Sequence, residues 1–284
     1  MNKYILPKAV PFFTNYYFKK HFWGKISDRD LFVKFLLRLH KKLSFNLFEK
    51  ENGEFLFEIE SNNMSLKLIT RGPGSSDVKV LDQVFSKKEY LPLVQKIQKR
   101  NLENSIQLII DAGCNVGYAS VYFKTFFPSA NIIAIEAADT NKLQADKNFA
   151  LNGLSDIKMM HAGVWSSNTF LEIKKDFLDG KEWSFYVAES VVPTDLKGIS
   201  LLDIYKNSGK KFIDILKIDI EGGEKELFKQ PEIMDDVLQK TRFLAIEIHD
   251  ETQMRPVIYE SLKRNGFDWF DIGESTFAIN KTIA

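Results

Sequence analysis

The stretch that most constrains this chain is Leu108-Ile109-Ile110-Asp111-Ala112-Gly113-Cys114-Asn115-Val116-Gly117-Tyr118. A short apolar run ends in an acid, and a small loop with two glycines then opens a helix. Glycine permits the tight turn and a close backbone approach to a ligand, and the first turn of a helix has free N–H groups to meet an anion. The rhythm set here continues. Apolar runs at 108–110, 131–135, 157–160, 212–218 and 243–248 read as strands. Segments 117–127, ended by Pro128, and 139–151, stopped at Asn152-Gly153, read as helices. Such βα units predict an α/β fold, a Rossmann-like doubly wound, mostly parallel sheet with helices on both faces. Right-handed crossovers bring the strands' carboxyl ends to one rim, where ligands bind. Residues 169–202 interrupt the rhythm with extra strand-like pieces at 170–173 and 183–187.

Upstream the pattern differs. Residues 1–50 hold 11 Lys+Arg against 3 Asp+Glu, although the whole chain is only +1, so the remainder is acidic. This segment reads as two helical pieces broken near Trp23-Gly24, the second with Ile26, Leu31, Phe32, Phe35, Leu36, Leu39 and Leu43 on one face and Ser27 as N-cap. The apolar face is expected to pack on the main domain. A basic surface lying on anionic lipid or an acidic glycan is the sharper alternative. Residues 54–60 and 64–70 predict a β-hairpin turned at Ser61-Asn62-Asn63, and a helical pattern with Val78, Leu81, Val84 and Phe85 follows the Gly- and Ser-rich turn 71–77. The expected organisation is a basic helical extension (1–50), a hairpin-and-helix lead-in (51–103) and a ligand-binding domain (104–284).

Three nucleotide loops compete for the 108–118 pattern. A Walker loop ends in Gly-Lys-Ser/Thr, and here Tyr118 follows the glycine. A dinucleotide loop needs three glycines and no acid at the strand tip, where a carboxylate would repel a pyrophosphate. Only Gly113 and Gly117 are present, behind Asp111. An acid at that tip suits a ligand with an ammonium group, such as the methionine end of S-adenosylmethionine. Glu136 ends the next strand, 19 residues after Gly117 and 25 after Asp111. A strand-tip carboxylate about 20 residues on accepts hydrogen bonds from a ribose diol.

Together with His161-Ala-Gly-Val-Trp165, Leu216-Lys-Ile-Asp-Ile-Glu-Gly-Gly-Glu224 and Ala245-Ile-Glu-Ile-His249, these motifs resemble the FkbM family of class I S-adenosylmethionine-dependent methyltransferases, over about residues 104–280. Ser75-Ser76-Asp77 with Phe85 and Tyr90 looks like that family's lead-in. The resemblance implies a seven-stranded sheet whose last strand is antiparallel, matched by 267–272 and 275–280. It also implies methyl transfer to a hydroxyl of a sugar, glycan or natural-product scaffold. One departure is Ala137-Ala138-Asp139, where the family commonly has Pro and an acid.

Cofactor contacts are expected from Asp111, Gly113, Asn115, Gly117, Tyr118, Glu136, Ala137, Asp219 and Trp165, the last by stacking on adenine or by plain core packing. Methyl transfer to oxygen needs the acceptor aligned and its proton removed. His249, beside Asp219 and Glu247, is the leading base because imidazole accepts a proton near neutrality. Asp219, Glu221, Glu247, His249 and Asp250 could instead hold Mg2+. Cys114, the single cysteine, excludes an internal disulfide or cysteine zinc cluster and reads as a filler.

No run approaches the roughly 18 apolar residues of a membrane helix, and no secretory signal is visible. The expectation is a cytoplasmic protein, with peripheral contact at the inner membrane face through 1–50. Its acceptor is a small molecule or glycan, nucleic acid is not a partner, and a homo-oligomer is compatible with the sequence. An NAD-dependent oxidoreductase and a catalytically inactive cofactor-binding adapter are the competing readings. Acceptor-site elements are expected in 169–202, with Trp183, Phe185 and Tyr186, in the turn 71–77 and in the basic N-terminal helices.

Overall fold

The computed structural model of the chain describes residues 2–3, 26–174 and 186–284. The first of the two helical pieces expected in 1–50 lies outside these residues, as do Trp183 and Phe185. The chain forms two compact units, Met1–Glu89 and Tyr90–Ala284.

In the first unit, β1 (Asn2–Lys3), β2 (Phe45–Glu49), β3 (Phe55–Ser61) and β4 (Met64–Thr70) form an antiparallel sheet in that order. Helix α1 (Asp28–Leu39) starts where expected. Ser27 caps the Asp30 N–H while the Asp30 carboxylate accepts from the Ser27 N–H, a reciprocal capping box. Its buried face is Phe32, Leu36 and Leu39, and the Phe32 ring lies 4.6 Å from that of Phe55, so the helix packs on its own unit's sheet. Leu31, expected on that face, is exposed, because it lies one position off the i, i+4, i+7 row. Asn62 and Asn63 both take left-handed backbone, as a two-residue hairpin turn with the strands' own twist requires. The buried Asp77 carboxylate, at the start of α2 (Asp77–Leu81), binds both the backbone and the guanidinium of Arg71.

The boundaries expected at 50 and 103 need correction. Phe45 and Leu47 alternate inward with period 2, which makes 45–49 a strand paired to 55–61, so the first sheet runs across residue 50. The second unit already begins at Tyr90, ahead of α3 (Leu91–Gln98).

That unit continues with β5 (Leu108–Ala112), α4 (Tyr118–Phe126), β6 (Asn131–Glu136), α5 (Asp139–Leu151), β7 (Lys158–His161), β8 (Gly163–Val164), β9 (Leu171–Lys174), β10 (Tyr186–Glu189), β11 (Gly198–Ile199), α6 (Leu201–Ser208), β12 (Ile213–Ile218), α7 (Glu224–Leu227), α8 (Pro231–Leu238), β13 (Thr241–Glu247), α9 (Arg255–Arg264), β14 (Phe267–Ile272) and β15 (Ser275–Asn280). The seven-stranded sheet has the order β14-β15-β13-β12-β5-β6-β7, with β15 antiparallel to both neighbours and the other pairs parallel. The expected α/β, mostly parallel architecture is therefore the observed one. Its central strands β5 and β12 are buried at every position, as a sheet covered on both faces requires. The strand order reverses between β5 and β12, and the loops there open at the carboxyl rim. The interrupting segment supplies β8 with its partner β11 and the β9–β10 hairpin.

Candidate functional site

A cleft of about 600 Å3, counting space open to solvent, lies at that rim, lined by residues of β6, β8, β9 and β10 and of the loops after β5, β6 and β12. The glycine loop forms one wall. Gly113 has φ +75°, and a Cβ there would lie 1.8 Å from the Asp219 carbonyl oxygen, so two backbones touch at this point. Gly117, with φ +82°, caps α4, and a Cβ would strike the Phe149 ring at 2.6 Å. These two contacts are the reason for the glycines.

Glu136 sits at the β6 tip and lines the cavity. One carboxylate oxygen accepts from the Asn115 N–H at 2.8 Å, the other from the Ala138 N–H at 2.9 Å. Burial raises its pKa, against these hydrogen bonds. The Ala137-Ala138 departure thus leaves the carboxylate held, and His161 Nε2 fastens the same turn at the Ala137 carbonyl, 3.0 Å away. Ala137, Asn115 and Gly113 line the cavity as expected. The Asn115 Oδ1 atom is buried with no hydrogen-bond partner.

Other expected contacts move. Asp111 is fully buried and does not line the cavity. Its carboxylate accepts from Ser120 Oγ at 2.6 Å and pairs with Lys217 Nζ at 3.2 Å, so the ammonium group it was expected to meet is an internal one. Tyr118 is fully buried too, because the left-handed turn at Gly117 sends the helix's first side chain into the core. Trp165, with its N–H on the Ile199 carbonyl, packs with Leu171 and Leu196 behind the hairpin whose Ile173 and Val187 face the cavity. Core packing, the alternative weighed for it, is what the ring does. Cys114 is buried, with burial first among the causes that push its thiol pKa well up, which makes it inert.

At the β12 tip, Asp219, Ile220 and Glu221 line the cavity. Glu221 has left-handed backbone, φ +51°, followed by Gly222 at φ +84°. His249 closes this turn from the β13 side: Nε2 lies 3.3 Å from Glu221 Oε2 and Nδ1 lies 3.1 Å from the buried Glu224 Oε1. Burial opposes the imidazolium, but the two carboxylates prevail and lift its pKa to about 11. The Gly222 N–H points at the same Nδ1 from 3.3 Å, so a charged ring donates to both carboxylates, whereas a neutral ring with its proton on Nε2 accepts from Gly222. The expectation of a neutral imidazole ready to accept a proton does not fit this clasp, and His249 does not line the cavity. Burial also pushes the Glu221 carboxyl up, against the hydrogen bond from His249.

Asp219, Glu247 and His249 do meet, offering ligand atoms within 4.8 Å of one another. They fit a divalent cation poorly. Lys217 Nζ already stands 3.5 Å from Asp219, and a metal on His249 would have to displace a firmly held proton. Asp250 leaves the group altogether, ion-paired to Arg255 at 2.7 Å.

Sequence reasoning missed Asn141, Ile173, Val187 and the 162–164 backbone as cavity walls. The motif 161–165 carried the signal, in its small residues rather than in its tryptophan. Asn141 lies in the first turn of α5, where spacing from Glu136 places it above the strand tip.

The Methyltransferase FkbM domain family matches residues 111–273, more than half of the chain. Methyltransferase sdnD of Sordaria araneosa is 29% identical over 191 residues, covering 56% of this chain and 73% of that protein. Among solved structures, the N-terminal domain of human METTL16 in complex with SAH aligns with a TM-score of 0.40 at 20% identity, over 67% of each chain. A ribosomal protein L11 methylase from Lactobacillus delbrueckii subsp. bulgaricus aligns with a TM-score of 0.32 at 16% identity, over 61% of this chain and 68% of that one.

Proposed function

We propose that this chain, which belongs to the FkbM methyltransferase family, transfers the methyl group of S-adenosylmethionine to a hydroxyl oxygen of a sugar, glycan or related natural-product acceptor. The observation that carries this reading is that the Gly113 loop, Glu136 and the Asp219–Glu221 turn face one cavity. The cofactor, when bound, supplies an electrophilic methyl on a sulfonium. Glu136, through the lone pairs its two backbone donors leave free, would hold the ribose hydroxyls. Val164, Ile173 and Val187 would cover the base. Gly113, Asp219 and the unpartnered Asn115 Oδ1 would receive the methionine end. The residues' remaining work is to align the acceptor oxygen and hold its proton. Glu221, raised by burial and facing the cavity, is the proton acceptor in this reading, with His249 fixing it. Three carboxylates around the cavity, rather than Asp111, now argue against a dinucleotide pyrophosphate.

Calorimetric titration with S-adenosylmethionine, S-adenosylhomocysteine and NAD is the first test, followed by labelled-methyl transfer to sugar acceptors. Micromolar binding of the first two and label in an ether linkage are expected. Binding of NAD alone overturns the cofactor assignment, and label on nitrogen or carbon overturns the hydroxyl acceptor. Peripheral membrane contact is supported by the exposed Arg38, Lys41 and Lys42 after and along α1. Co-sedimentation with phosphatidylserine vesicles, weakened by salt, is the expected result, and no sedimentation at low salt removes the idea.

A further inference from the structure

We infer that Lys217 is a positioning residue for the cofactor cavity, and that Asp111 acts on the cavity through Lys217 without touching the ligand. The inference rests on the cofactor reading above. Lys217 and Asp111 are partners across the parallel pair β12–β5. The lysine side chain is 4% exposed and the aspartate 0%. A buried ammonium is costly unless several acceptors surround it. Lys217 Nζ has three oxygens around it: it donates to the Gly113 carbonyl at 2.5 Å and forms ion pairs with Asp111 Oδ1 at 3.2 Å and Asp219 Oδ2 at 3.5 Å. Two of these, Gly113 and Asp219, belong to cavity-lining residues. The third is turned away, its other oxygen engaged by Ser120.

The ammonium therefore draws two walls of the cavity together where their backbones already touch. Lys217, Asp111 and Asp219 together set one net negative charge beneath the ligand. If Asp111 loses its charge, Asp219 becomes the sole carboxylate on Lys217 and is pulled out of the cavity. If Lys217 loses its charge, the buried Asp111 carboxylate and the partly exposed Asp219 carboxylate are left without the cation between them. If both are neutralised, Asp219 is released and the net charge is unchanged. S-Adenosylmethionine carries one positive charge more than its product S-adenosylhomocysteine, so the ratio of their affinities reads this charge. A role confined to folding would move both affinities alike.

The test is a double-mutant cycle on the full chain, Asp111→Asn, Lys217→Met and the two combined, with both ligands titrated by calorimetry and each variant's melting recorded. Asp111→Asn is expected to weaken S-adenosylhomocysteine by at least tenfold, and adding Lys217→Met to recover most of that loss. The two single variants are expected to shift the affinity ratio in opposite directions, at least twofold each, and the double variant to return it to the wild-type value. The inference is overturned by a double variant that binds no tighter than Asp111→Asn, or by a ratio that stays constant. If Asp111→Asn does not fold, comparing Lys217→Met with the double variant carries the same test. If only the double variant folds, that rescue supports the coupling, and a double variant as unfolded as both singles defeats it. Wild-type protein that binds neither ligand defeats the cofactor reading instead.

Discussion

His249 illustrates how a side chain's neighbours decide its chemistry. An isolated imidazole titrates near neutrality, but the Glu221 and Glu224 carboxylates beside this one lift its pKa to about 11. The folded chain binds that proton more tightly than the unfolded one. The stabilisation is thus complete below the ordinary value of 6.5 and drains away as pH rises toward about 11. The difference in melting temperature between wild type and His249→Gln should be largest at pH 6 and shrink steadily by pH 10. A difference that stays flat over that span would reject the clasp. Glu221→Gln tests the proton acceptor. It should lower turnover by about 100-fold or more and leave S-adenosylmethionine affinity within a few-fold of wild type. Undiminished turnover would reject it. Gly113→Ala meets the Asp219 carbonyl at 1.8 Å and a left-handed backbone that alone costs about 1–2 kcal/mol. Loss of cofactor binding with a lowered melting point is expected, and wild-type affinity would contradict the geometry.

At the scale of elements, the two ends of the same strands do different work. At the carboxyl tips of β5, β6 and β12 the acids face or underlie a cavity. At their starts, Asp214 of β12 accepts from the Gln107 and Leu108 N–H groups at 2.7 and 2.9 Å and pairs with Arg242 of β13 at 3.0 Å. Removing one partner of a buried pair strands the other's charge. Arg242→Met should therefore cost about 3–5 kcal/mol in denaturant unfolding with cofactor affinity unchanged, and a lost affinity would mean that the two ends are coupled. Most strands and helices of the sheet were legible, because apolar runs bounded by Pro128 or by Asn152-Gly153 leave few alternatives. Phe45–Glu49 was not, because five residues carry too short an alternation to outweigh the helical pattern before them. The β9–β10 hairpin was half legible: its strands were visible, but not that Ile173 and Val187 turn toward the cavity.

For the molecule as a whole, the positive charge at the site is internal. Lys217 and His249, whose pKa the neighbouring carboxylates raise, stand among Asp111, Asp219, Glu221 and Glu224, so the chain supplies its own counter-ions. Methyl transfer is expected to survive exhaustive chelation within about twofold, and loss of activity restored by Mg2+ would return the metal reading to the lead. No helix among the described residues is long and apolar enough to cross a membrane. The sequence by itself determined the sheet, its rim and the stations of the cavity-lining acids Glu136 and Asp219, because period, punctuation and strand-tip position are local properties. Only the tertiary structure decided what each charge faces. Asp111 and Lys217 are 106 positions apart, and His249 is 28 from Glu221. Strand pairing brings them into contact, burying the presumed ligand contact Asp111 against Lys217 and setting the presumed base His249 between two carboxylates.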